Sequence, residues 1–355
     1  MAESPIFFES DTPGTPKRGP QPVAPGTTVI VQQSPVGGWQ VWGMRLLMAA
    51  LAISILFNLA LFAKYHSYLG EADGPQEKFH SGDVLASRKI AVLEMSATIM
   101  PPYTERIIQQ IKKAAKDKDV KGVLLVIDSP GGLVADSHEI YHELKKLSRD
   151  KPLFVQMKRV AASGGYYIAM GGGPQAKIYA EPTTWTGSIG VIMPRYDISQ
   201  LADKFGVKSE PLTTGEFKDS LSPFKPLTER ERELWSDILN QSYEQFLAVI
   251  DENRDTLDLD KVKEIATGQV FTAKDAKAKG LIDEIGFQED ALDALKAQLG
   301  LDKVRVVKYQ APTTLMDVLI GNAQTEAKAH PWQVLLEASV PRAYYYCSWL
   351  PPLPE

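Results

Sequence analysis

Apolar positions along this chain change their period several times. From Leu46 to Ala63 they run unbroken, LLMAALAISILFNLALFA, eighteen residues without a charge. Trp39, Trp42 and Arg45 precede the run and Lys64, Tyr65 and Tyr68 follow it. That length with aromatic and basic flanks predicts one membrane-spanning helix in an anchor over 39–64. More than forty residues stand ahead of the run, and no Ala-x-Ala-like site occurs before Lys64, so an uncleaved anchor is expected rather than a signal peptide. Arg45 on one side is balanced by Lys64 and Lys78 on the other, so loop charge leaves the orientation open. Residues 1–38 carry Pro5, Pro13, Pro16, Pro20, Pro22, Pro25 and Pro35 among Gly, Gln and Thr, and are expected to be a disordered arm.

After a polar linker over 65–88 the pattern alternates between short apolar runs and amphipathic stretches. Strands are predicted at Ile90–Met95, Val120–Ile127, Leu153–Met157, near Lys177–Ala180, at Ser188–Met193 and at Val304–Val307. Helices are predicted at Thr104–Ala115, with Ile107, Ile108 and Ile111 on its apolar face, and at about Ala135–Leu147. Val120–Ile127 (VKGVLLVI) is nearly all apolar, as a strand buried on both faces requires. The alternation predicts an α/β domain over 89–310 with parallel βαβ units. Past Gly300 a segment around Trp332–Ala338 and an aromatic, Pro-rich end make up a C-terminal tail, 311–355.

The 355 residues, 44% hydrophobic and 23% charged, suit a globular protein with appendages. A net charge of −5 without a long basic run gives nucleic-acid binding no support. Cys347 is the only cysteine, which excludes an intrachain disulfide and a cysteine metal cluster.

Candidate chemistry gathers at two glycine-rich junctions, Ser129-Pro130-Gly131-Gly132 and Ala162-Ser163-Gly164-Gly165. In parallel α/β sheets, ligands sit where strands hand over to helices. Gly131 lets main-chain N–H approach a ligand unobstructed, and Gly164 offers another N–H at a helix start. The pair is a candidate oxyanion hole around the Ser163 hydroxyl. The bland readings are a helix N-cap for Ser163 and an ordinary turn for the glycines.

Four motifs in order, Asp128-Ser-Pro-Gly-Gly132, Ala161-Ala-Ser-Gly-Gly-Tyr-Tyr167, Thr186-Gly-Ser-Ile-Gly-Val-Ile-Met193 and Phe217-Lys-Asp-Ser-Leu-Ser-Pro223, resemble those of the S49 serine peptidases of the signal peptide peptidase A type. Asn240-Gln-Ser-Tyr-Glu-Gln-Phe246 and Ala273-Lys-Asp-Ala-Lys277 follow in the same order, so the likeness covers roughly 90–299. The resemblance implies a Clp protease/crotonase-like fold, with Ser163 as nucleophile, Lys218 as general base and Ser188 as the hydroxyl orienting the lysine. It also implies hydrophobic peptide substrates such as spent signal peptides, a homo-oligomeric ring with each site near a subunit boundary, and a catalytic part outside the cytoplasm. No cofactor or metal is implied.

An ammonium cannot take a proton, so that role needs Lys218 neutral, which burial favours. Asp219 would oppose this and is expected to point elsewhere. Lys158 and Arg159 stand where the family has small residues and read as solvated loop charges. His138-Glu139-Ile140-Tyr141-His142 fits the H-E-x-x-H pattern of zinc metalloproteases. With Ile140, Leu144 and Leu147 toward the core, however, His138 and His142 fall on almost the opposite face, and no third ligand is evident. Two other classes stay open: a crotonase-like acyl-CoA enzyme, which would need neither Lys218 nor an anchor, and a catalytically silent membrane scaffold.

Overall fold

The computed structural model describes residues 38–69, 74–310 and 344–346. The expected disordered arm, apart from Gly38, lies outside the described residues, as do the segment around Trp332–Ala338 and most of the tail. The chain divides into two units, Met1–Leu69 and Gly70–Glu355.

The first unit contains helix α1 (Gly38–Leu69). Its apolar stretch, Val41–Phe62, is 22 residues long and fully exposed. At about 1.5 Å per residue it reaches ~33 Å, against ~30 Å for a bilayer's hydrocarbon core. It is therefore long and apolar enough to cross a membrane. Asn58 turns its amide back to the Ser54 carbonyl at 2.8 Å, which satisfies a polar group that lipid would not.

The second unit runs β1 (Gln76–Gly82), β2 (Lys89–Met95), α2 (Tyr103–Lys116), β3 (Val120–Ser129), β4 (Gly131–Leu133), α3 (Val134–Ser148), β5 (Leu153–Ala162) and α4 (Gly164–Ala169). It continues with β6 (Ile178–Ala180), β7 (Trp185–Gly187), α5 (Ser199–Lys204), α6 (Glu229–Asn253), α7 (Leu259–Ile265) and β8 (Val270–Thr272). Then come α8 (Ala273–Ala278), β9 (Glu284–Ile285), α9 (Gln288–Leu299), β10 (Arg305–Gln310) and β11 (Tyr344–Tyr346). The main sheet has the order β1-β10-β2-β3-β5-β6-β9, with β7 joined to the end of β5 and β8 to β7. From β10 to β9 every pair is parallel, and β1 closes one edge antiparallel to β10.

Strict alternation along the central strands builds two apolar layers. Ala91, Leu93, Met95, Val123, Leu125 and Ile127 face the side covered by α2, α3, α4 and α6. Ile90, Val92, Leu124 and Val126 face the side covered by α9. This double burial is why β3 reads as a continuous apolar run. Helix α2 buries Ile107, Ile108 and Ile111, the face its periodicity marks.

Three elements differ from expectation. Part of the stretch expected as a linker, Gln76–Gly82, is a strand, because its polar side chains suit a sheet edge and its main chain pairs with β10. The strand expected at Ser188–Met193 instead lies at Trp185–Gly187. It ends where Gly187 and Ser188 turn to φ 83° and 51°, which takes the chain out of extended geometry. Strand β5 runs five residues past Met157, through Lys158 and Arg159. The charge there is matched: the Arg159 guanidinium meets the nearly buried Asp128 carboxylate on β3 at 2.6 and 2.7 Å.

Candidate active site

Strands β3 and β5 are parallel neighbours, and the pairing Ser129↔Ala161 sets their C-terminal ends side by side. Beyond β3 the chain turns through Pro130 into Gly131, with φ 103°. Beyond β5 it turns through Ser163 into α4. The two turns pack in contact. A Cβ on Gly131 would lie 2.8 Å from the Gly164 nitrogen, and one on Gly164 would lie 3.2 Å from the Gly131 Cα and 2.6 Å from the Ser137 hydroxyl oxygen. Only glycine fits at either position. The pairing proposed from the sequence, Gly131 with Gly164, is thus a pairing in space.

Ser163 takes φ 54° and ψ −114°, outside the regions open to L-residues at low cost. Its main chain is held from both sides, N–H to the Gly187 carbonyl at 2.7 Å and C=O from the Tyr167 N–H at 2.9 Å. The residue is fully buried, yet among the described residues its Oγ has no hydrogen-bond partner. A buried hydroxyl without a partner on a strained turn costs stability, and such costs concentrate at functional positions. The N-cap reading fails on the same observation, since no cap bond is made.

Ser188 directly follows Gly187, the residue that accepts the Ser163 N–H. It is buried, has φ 51°, and donates its own N–H to the Gln269 carbonyl at 2.7 Å. Ser163, Gly131, Gly164 and Ser188 therefore share one neighbourhood.

Lys218 differs from these four in its surroundings. It is exposed, and its side chain makes no hydrogen bond or ion pair among the described residues. Its segment is fastened to α6 through its neighbours. Lys225 bridges Asp219 at 2.9 Å and Glu231 at 2.8 Å, and Trp235 Nε1 donates to the Ser220 hydroxyl at 3.0 Å. Asp219 is thereby turned to a different cation, Lys225. The surrounding stretch exposes Tyr196, Phe205 and Leu212, large apolar groups left uncovered by the described residues.

Sequence reasoning missed several contacts. The Ser129 hydroxyl donates to the Ala97 carbonyl at 2.6 Å and accepts the Gly131 N–H at 3.2 Å, so that amide is engaged within its own turn. Asp128 accepts from Arg159 and from the Val160 N–H at 3.3 Å, tying the first glycine turn to the strand that carries Ser163. A carboxylate closing an apolar strand, with an arginine in the next, was the available signal. His138, exposed with His142 on α3, brings Nδ1 within 2.7 Å of the Tyr167 hydroxyl. Burial, and then the charges of His142 and Lys145, hold His138 below the ordinary histidine range. Among the described residues no three His, Cys, Asp or Glu side chains gather as metal ligands would.

The profile of peptidase family S49 matches residues 145–302 and that of Clp protease matches 78–186, so the turn carrying Ser163 lies in both. An Enterococcus faecium protein assigned as signal peptide peptidase SppA is 39% identical over 211 residues, 59% of this chain and 60% of that protein. A Synechocystis protein assigned as a protease is 37% identical over 236 residues, 66% of this chain and 83% of the relative. The chloroplastic serine protease SPPA of Arabidopsis thaliana is 36% identical over 222 residues, 61% of this chain and 32% of the relative. The match thus leaves two-fifths of the Enterococcus protein and two-thirds of the Arabidopsis protein uncovered.

Proposed function

The chain belongs to peptidase family S49, with a Clp protease-like α/β domain, and from that footing we propose that it is a membrane-anchored serine endopeptidase working through Ser163 and Lys218. The observation that carries this reading is the Ser163 hydroxyl, buried, without a partner among the described residues and held on a strained turn beside two facing glycines. The neutral Lys218 amine takes the Ser163 proton as Oγ attacks the scissile carbonyl. Negative charge on that oxygen is met by the main-chain N–H of Gly164 and of Gly131, the latter released from the Ser129 hydroxyl. Lys218, now an ammonium, protonates the departing amine. The acyl group left on Ser163 is removed by water, which Lys218 deprotonates in turn.

Ser188, adjoining the Ser163 anchor point, orients the lysine. A solvent-exposed amine is a poor base, so the base must be desolvated when the site is complete. Assembly of chains into a ring, covering the exposed apolar groups around Lys218, supplies that burial. Hydrophobic peptides such as cleaved signal peptides are the substrates, and α1 keeps the enzyme at the membrane where they arise, with the catalytic unit outside the cytoplasm.

Cleavage of a fluorogenic apolar peptide by the full-length chain in detergent, compared with Ser163→Ala and Lys218→Ala, tests the dyad. Each substitution should lower kcat by at least about 10³-fold. A Lys218→Ala protein with wild-type turnover would overturn the assignment of the base. Reporters fused to either end test the orientation, and a cytoplasmic C-terminus would refute it.

A further inference from the structure

We infer that helix α1 carries a face for a second copy of itself, on which Asn58 pairs with Asn58 of that copy inside the bilayer. This rests on the proposed anchoring of the chain by α1. Within Leu46–Ala63 only Ser54 and Asn58 have polar side chains, and they stand four residues apart, on one face of the helix. Alternate steps of four and three residues extend that face to Leu47, Leu51, Ser54, Asn58, Leu61 and Tyr65. A spacing that averages 3.5 residues is the seam of helices wound left-handed about each other. All six side chains are exposed, and a shallow groove opens beside Ser54, Asn58, Leu61 and Tyr65.

Asn58 is the member of this seam that lipid accommodates worst. It lies one helical turn, about 6 Å, inside the end of the apolar stretch Val41–Phe62. Its amide has two N–H groups to donate and an oxygen to accept. One N–H is spent on the Ser54 carbonyl at 2.8 Å, and the same nitrogen lies 3.5 Å from the Ser54 hydroxyl, at the outer limit of a hydrogen bond. Among the described residues the amide oxygen accepts nothing. Hydrocarbon supplies neither water nor any other donor, so the missing partner must be a polar group brought to the same depth by another helix.

A second copy meets that demand by symmetry. Copies of one chain inserted in the same orientation carry Asn58 at equal depth, so each amide oxygen can accept an N–H of the other. The leucines of the seam do not choose this partner on their own, because lipid tails are as apolar as they are. The asparagine does choose it, and a single amide in such a seam also fixes the register of the pair. Two joined α1 helices raise the local concentration of the units that carry Ser163 and Lys218. That favours the assembly in which Lys218 loses its solvent.

The test uses the full-length chain in phospholipid vesicles at a series of protein-to-lipid ratios. Cys347→Ser removes the only native thiol, and one cysteine at a time is then placed along α1. On oxidation with iodine, Leu47→Cys, Leu51→Cys and Leu61→Cys should give disulfide-linked dimers, whereas Ala49→Cys, Leu56→Cys and Ala60→Cys, on the far side of the helix, should not. Adding Asn58→Leu to the Leu61→Cys chain should raise the protein-to-lipid ratio at which half the chains cross-link about tenfold, although leucine suits lipid better. Asn58→Gln, which keeps the amide, should stay near the parent. Cross-linking that is absent, that shows no preference for the seam, or that is unchanged by Asn58→Leu would overturn the proposal, since contacts elsewhere in an assembly account for the last two. Labelling of Leu51→Cys by a water-soluble maleimide in intact vesicles would place α1 outside the bilayer, and the anchoring itself would fall.

Discussion

Replacing Ser163 should abolish cleavage and at the same time stabilise the protein. The hydroxyl is fully buried without a hydrogen-bond partner among the described residues, and leaving such a group unpaired costs about 1–3 kcal/mol. The backbone at φ 54°, ψ −114° adds strain on the order of 1–3 kcal/mol for a residue with a Cβ. Alanine removes the first cost and keeps the second, so Ser163→Ala should gain about 1–2 kcal/mol. Glycine removes both but gives back roughly 0.5–1 kcal/mol through the greater freedom of the unfolded chain, so Ser163→Gly should match or exceed alanine. For a unit of this size each kcal/mol moves Tm by about 2–4 °C. Differential scanning calorimetry of the three proteins, run beside the peptide assay, reads both effects. A lower Tm in Ser163→Ala would mean that Oγ makes stabilising contacts in the working protein, and the picture of a strained, unsatisfied nucleophile would be wrong.

Other expectations follow from particular contacts. Gly164→Ala places a methyl 2.6 Å from the Ser137 hydroxyl and against Gly131, so it should cost about 1–3 kcal/mol by overpacking and remove activity; full activity would show that the two turns are not in register during catalysis. Hydrogen bonds from Lys225 and then from the Thr228 N–H hold Glu231 well below 4.5, at about 2. A depressed carboxyl stabilises the fold above pH 4.5 and loses that contribution as pH falls toward 2. Glu231→Gln should therefore lower Tm at neutral pH and converge with wild type near pH 2, and parallel Tm curves would refute it. Arg254, buried, bonds the Gly280 carbonyl at 2.7 and 3.0 Å and Asp283 at 2.9 Å. Arg254→Met should cost about 3 kcal/mol, the low end for a broken buried pair, because Asp283 keeps the Ile178 N–H; urea titration showing less than a third of that would place the pair among ordinary surface contacts.

What the sequence conveyed best was whatever depends on local pattern. The ends of α2 and α3 fall within one residue of expectation, because each helix carries its apolar face at fixed spacing and ends in charged residues. The two glycine turns were legible because glycine is needed at Gly131 for its backbone angle and at Gly164 for contact, and both needs write themselves into residue type. Edge strand β1 was not legible: QEKFHSG lacks an apolar face, and its strand character comes from a partner more than two hundred residues away. Ser188 was assigned to a strand since its neighbours are apolar, and nothing local announces a positive φ at a serine. The burial of Tyr345 was equally hidden, as Tyr167, Phe246 and Ser242 meet it only through tertiary packing.

Strand β1 also decides where the second unit can be separated from helix α1 for work in water. A cut at Lys89, where apolar patterning alone would draw the boundary, would strip the cover from β10 and leave its outer row of amides and carbonyls open to any passing chain. Shortened proteins beginning at Lys89 should stick to one another, whereas those beginning at Gly74 keep the sheet's selvedge and should stay dispersed.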